Sequence, residues 1–158
     1  MSTKKALFLD PYDSETIKEL SEIGDYKDIV DFITRTRNFT PELYNEIKKG
    51  SNEIEEILYL KEDNKIKDYC HIYGEKDRKI GTITFPITGV KRKSFIPMII
   101  NCTQELGIKE VFIKTTPEDK VLIKDLDDLG FESLGEDNGI VIYLKEEELE
   151  KEVQRKRQ

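Results

Sequence analysis

The stretch KIGTITFPITGVKRKSFIPMIINCTQEL, Lys79 to Leu106, decides how the rest of the chain is read. Lys79 to Ile87 has the pattern of a strand, Thr88 to Lys93 is a basic turn, and a helix opens at Ser94. Phe95, Met98, Ile99, Cys102 and Leu106 then recur at helical spacing, with Gly107 as the stop. The first backbone N–H groups of a helix lack partners, and the peptide dipoles add about half a positive charge there. Lys91, Arg92 and Lys93 lie just before that start, so if the protein binds a phosphorylated cofactor its phosphates are expected here. The bland reading of the same residues is a solvated loop.

Working outward from this stretch, the period of two continues upstream. Ile57 to Leu60, Asp68 to Tyr73 and Lys79 to Ile87 describe three strands joined by short turns, an antiparallel meander. Pro86 removes a backbone donor, so pairing is expected to break near it. Before the meander, Ala6 to Leu9 reads as a first strand and three helical segments follow. Asp13 or Ser14 caps the first, Asp25 the second, and Thr40 with Pro41 opens the third, which Gly50 closes. Downstream, Val111 to Thr115 is a strand reached by a helical crossover, hence parallel to the one ending at Ile87. Thr116 caps a further helix, with Asp119 answering it in a capping box. Phe131 to Leu134 and Ile140 to Leu144 flank Asp137-Asn138-Gly139, a hairpin signal. The fold class is therefore a mixed α/β single domain over residues 1–145, followed by a charged helical tail over 146–158.

The chain has 158 residues, 33 acidic and 26 basic, for a net charge of -7. That balance disfavours nucleic acid and favours cationic partners. Cys70 and Cys102 have no metal-ligand spacing, so no metal is expected and both read as reduced thiols of a cytoplasmic protein. The apolar run at the amino terminus is too brief for a signal segment, and no window suits a membrane span.

This element order resembles the GNAT family, the acetyl-CoA-dependent N-acetyltransferases, from Lys5 to Leu144. Glu105 to Val111, Leu129 to Gly135 and Ile140 to Lys145 are similar to that family's local phrases. The resemblance implies acetyl-CoA as cosubstrate, with its pantetheine arm in a gap between Thr84 to Ile87 and Ile113 to Thr115. It implies cofactor contacts at Phe85, Ile87, Lys91, Arg92, Lys93 and Ser94, and an acetyl group passed to a primary amine, with a homodimer left open. Two departures stand out. The family's glycine-rich pyrophosphate loop keeps only Gly89, with Val90 and Arg92 near the glycine positions. The usual tyrosine acid is replaced by Leu126, and a frequent asparagine by Asp119. Loss of these groups is what a non-catalytic binding or regulatory protein on the same fold would carry.

Two side chains are weighed as catalytic groups. His71, the sole histidine, alternates with Tyr69 and Tyr73 and can serve as a general base, or simply be hydrogen-bonded on a sheet face. Tyr143 can protonate a leaving thiolate, or pack in the core.

Overall fold

The computed structural model describes residues 3–23 and 27–145. The elements run β1 (Lys4–Phe8), α1 (Ser14–Leu20), α2 (Lys27–Thr36), α3 (Pro41–Gly50), β2 (Glu53–Glu62), β3 (Lys65–Glu75) and β4 (Ile80–Thr84). They continue with α4 (Phe95–Glu105), β5 (Glu110–Thr115), α5 (Lys120–Asp128), β6 (Glu132–Asp137) and β7 (Ile140–Lys145). One seven-stranded sheet has the order β1-β2-β3-β4-β5-β7-β6. Only β4 and β5 pair in parallel, as a crossover through α4 requires.

Local chemistry explains most boundaries. Asp13 accepts from the Thr16 amide at the start of α1, and Thr40 accepts from the Leu43 amide ahead of Pro41. Asn138 and Gly139 both have positive φ, the geometry of a two-residue hairpin turn between β6 and β7. The expected Asp25 cap and the charged tail lie outside the described residues.

Two boundaries move. β4 ends at Thr84 rather than Ile87, because Phe85 and Pro86 leave both neighbouring strands together. Helix α5 begins at Lys120 with Asp119 as its cap, donated to by the Leu122 amide at 3.3 Å, so Thr116 does not open it.

Alternation along the strands divides the core. One sheet face packs Ile72, Ile83, Ile113 and Tyr143 against Ile99 of α4 and Leu126 of α5. The other packs Ile57 and Tyr69 against Leu20 of α1 and Phe32 of α2. The edge strand β6 is exposed along its whole length, and the opposite edge, β1, pairs with β2 only after α1 to α3 have intervened.

Candidate functional site

Two places in the fold could carry chemistry. The first is the turn between β4 and α4, where Arg92 is fully buried, with 0% exposure. Its Nε donates to Asp68 Oδ2 at 2.6 Å, and Nη2 lies 2.6 Å from the Pro86 carbonyl oxygen and 3.1 Å from Thr88 Oγ1. Nη1 is 3.8 Å from Asp119 Oδ2, at the start of α5. The guanidinium carbon sits 4.7 Å from the centre of the Phe85 ring, which meets Phe95 edge-on. Burial pushes the Asp68 carboxyl up, and the hydrogen bonds and charge of Arg92 work against that rise.

The Arg92 main chain completes the arrangement. Its carbonyl oxygen accepts from the Phe95 and Ile96 amides, and its N–H donates to Asp125 Oδ2 at 2.6 Å. Ser94 makes no side-chain cap, and its hydroxyl accepts from Lys4 Nζ. The Asp125 carboxylate thus sits on the turn that leads into α4, on the Arg92 amide rather than on the first amides of the helix.

Arg92, expected as a phosphate contact, lies inside the protein beside Asp68 and Asp119. An arginine held inside by Asp68 and Asp119 has its charge already matched. Ile80 through Thr84 pair with Glu110 through Lys114 without a break, and β4 ends there, so the two strands part only from Phe85 onward. Beyond Thr84 the space between the Phe85 to Thr88 segment and Asp119 holds the Arg92 side chain. The remaining candidates are scattered. Ile87 is 65% exposed, Lys91 points to solvent, and Lys93 lies 3.7 Å from Asp128.

The second place is the face covered by α2. Glu55 pairs with Tyr73 and Ile57 with His71, so all four project to one side. His71 Nε2 is 2.7 Å from Glu55 Oε2, and Arg35 Nη2 donates to the same oxygen at 2.8 Å. Burial alone would raise the Glu55 carboxyl, but hydrogen bonds from His71 and Arg35 overcome it and hold it down to about 2. In the tautomer that carries its hydrogen on Nε2, the ring donates to Glu55 and leaves Nδ1 as the acceptor nitrogen. A cleft of about 600 Å³ opens beside it, lined by Arg35, Glu55, His71, Tyr73, Gly81 and Thr82. Sequence reasoning found His71 and missed Glu55, whose alternation with Ile57 was the available signal.

The pair has a pH signature. Glu55 is held below its ordinary value near 4.5, so its contribution is complete above that value and is lost as pH falls toward 2. Urea midpoints measured from pH 5 to pH 2 should therefore fall more steeply for the native chain than for Glu55→Gln. Parallel curves would contradict this electrostatic assignment.

Tyr143 does not join His71. His71 pairs with Thr84, Thr84 with Lys114 and Lys114 with Ile142, so these four share one face. Tyr143, next to Ile142, projects to the other face, where it is 4% exposed and burial raises its hydroxyl pKa. It is a core tyrosine, and one active centre cannot use both side chains as they stand.

With this geometry the chain has the GNAT fold, the architecture of the acetyl-CoA-dependent N-acetyltransferases. Among similar solved structures is the Campylobacter jejuni N-acetyltransferase PseH in complex with acetyl coenzyme A, at TM-score 0.62 and 12% identity. The match covers 90% of this chain and 98% of that one. The PaiA N-acetyltransferase of Thermoplasma acidophilum, in complex with coenzyme A, matches at TM-score 0.59 and 15% identity, over 90% of this chain and 98% of its own. No protein-family model matches the sequence, and no curated protein does. At such identities the likeness is one of fold.

Among the described residues no helix is long and apolar enough to cross a membrane, and no cluster of histidine, cysteine and carboxylate side chains could hold a metal ion.

Proposed function

We propose that this chain is a GNAT-fold binding or regulatory protein rather than an acetyl-CoA-dependent catalyst. The observation that carries this reading is the burial of Arg92 among Asp68, Asp119 and Asp125, in the space where the resemblance puts the cofactor. A pyrophosphate entering there would meet three carboxylates and one arginine that is already paired. Displacing that arginine would leave buried charges without a partner, a penalty of several kcal/mol. The missing loop glycines and the replacement of the tyrosine acid by Leu126 agree with it.

A second reading is acetyl transfer from acetyl-CoA to a primary amine, and the Glu55–His71 pair beside its open cleft favours it. In that scheme His71 Nδ1 takes the proton of the attacking amine, and Lys91 and Lys93 meet the phosphates from the surface. The CoA-bound forms of PseH and PaiA lend support through shared architecture.

One titration separates the two. A ligand that binds only the native state adds about 2.7 kcal/mol of stability at a hundredfold excess over its Kd. The binding-protein reading expects no change in thermal midpoint with millimolar acetyl-CoA. A clear upward shift, weakened in Lys91→Ala and Lys93→Ala, would overturn it in favour of the transferase.

A further inference from the structure

Helix α3 carries Leu43, Tyr44 and Ile47, yet none of its residues is buried. What ties it to the sheet is an ion pair from Lys48 to Glu56 of β2. Glu56 is 3% exposed, whereas the Lys48 side chain is 44% exposed and reaches in from the surface. Burial pushes the Glu56 carboxyl up, and Lys48 opposes the rise.

A groove of about 500 Å³ runs past this carboxylate between α3 and the sheet, walled by Phe8, Tyr12, Tyr44 and Leu106. A second space of about 360 Å³ adjoins it at Asn45, Lys48, Glu56 and Leu106. The Tyr12 and Tyr44 rings meet edge to face at 6.3 Å, and Lys48 Nζ lies 5.7 Å from the centre of the Tyr44 ring. The Tyr12 hydroxyl donates to the Phe39 carbonyl oxygen at 2.7 Å, which leaves its ring as wall. Burial, then the charge of Glu56, push the Tyr44 hydroxyl up to about 12, so that ring stays neutral.

A buried carboxylate beside aromatic faces recognises an organic ammonium ion. Lys48 already acts as one, anchored to Glu56 beside Tyr44. Because its stem is flexible and its head close to water, an external ammonium can replace it without leaving Glu56 unpaired. Three nearby charged groups have other partners. Lys76 donates to the Lys48 carbonyl oxygen at the end of α3, Glu55 is held by Arg35 and His71, and Asp10 accepts from the Tyr12 amide.

We propose that the groove under α3 binds a small primary ammonium ion bearing an aromatic or apolar group, with the ammonium taking the place of Lys48 on Glu56. The apolar part enters the space walled by Phe8, Tyr12 and Tyr44. This site is separate from the Arg92 network and stands whichever reading of acetyl transfer holds.

Titrating the full chain with phenethylammonium, by calorimetry and by amide NMR, tests it. Saturable binding is expected, with shifts concentrated at Tyr44 to Lys48 and at Glu56. Lys48→Met should tighten binding by removing the internal competitor, and Glu56→Gln should weaken it about tenfold or more. The neutral isostere 2-phenylethanol should bind far more weakly. Should Glu56→Gln fail to fold, Lys48→Met and the alcohol still decide the matter. Absence of saturable binding at millimolar amine, equal binding of the alcohol, or weaker binding by Lys48→Met would each overturn the proposal.

Discussion

Arg92→Met is expected to lower the folding free energy by about 3–5 kcal/mol, read as a fall in urea midpoint at unchanged slope. The size follows from what the substitution leaves behind. Asp68 and Asp119 are both buried, and without the guanidinium Asp68 loses two donors while Asp119 loses the positive charge 3.8 Å away. The Pro86 carbonyl oxygen also loses a donor at 2.6 Å. Methionine fills much of the volume, so the loss reports charge rather than a cavity. Adding Asp68→Leu should recover part of the stability, because removing a buried ion pair altogether costs less than breaking it. A loss below about 1 kcal/mol, as for a surface pair, would mean that solvent reaches the network.

The other large effect is expected from Gly74→Ala, which should destabilise the chain by about 3 kcal/mol. Gly74 of β3 pairs with Gly81 of β4. A β-carbon on Gly74 would stand 2.1 Å from the Ile80 carbonyl oxygen and 2.9 Å from the Gly81 α-carbon, both backbone atoms. Neither can turn aside, so the strands must part where β3 feeds into the parallel pair. Gly81→Ala makes a useful contrast. Its β-carbon would meet only side-chain atoms, the tip of buried Ile108 at 2.6 Å, so a smaller loss is expected as that side chain shifts rather than the backbone. Equal losses for the two would show that the contact at Gly74 is relieved in some other way.

Local signals carried most of the architecture. Thr40-Pro41 and Asn138-Gly139 announce their cap and turn through side-chain hydrogen bonding and backbone preference within a few residues. The crossover through α4 makes β5 parallel to β4 for reasons of reach alone. The site was far less legible. Lys91-Arg92-Lys93 is a run of like charges, and no local pattern tells its middle member from its flanks. Arg92 turns inward because Asp68, 24 positions away, and Asp119 meet it only in the folded chain. Glu55 and Glu56 raise the same difficulty. Successive strand positions face opposite sides, so two identical side chains enter two surroundings, one beside His71 and one under α3. The family pattern assigns this turn by position, whereas the three aspartates that surround Arg92 come from β3 and from α5 with its cap, far away in sequence.

The route by which β1 reaches the sheet bears on how the molecule assembles. The hairpins β2 to β4 close over short turns, whereas β1 can join Leu58 to Glu62 only after the whole span of α1, α2 and α3 has been gathered in. Ordering so long a span carries a chain-entropy penalty that local pairing avoids. The central meander is therefore expected to form before β1 docks. Loosening that edge should quicken unfolding while leaving the refolding rate nearly untouched.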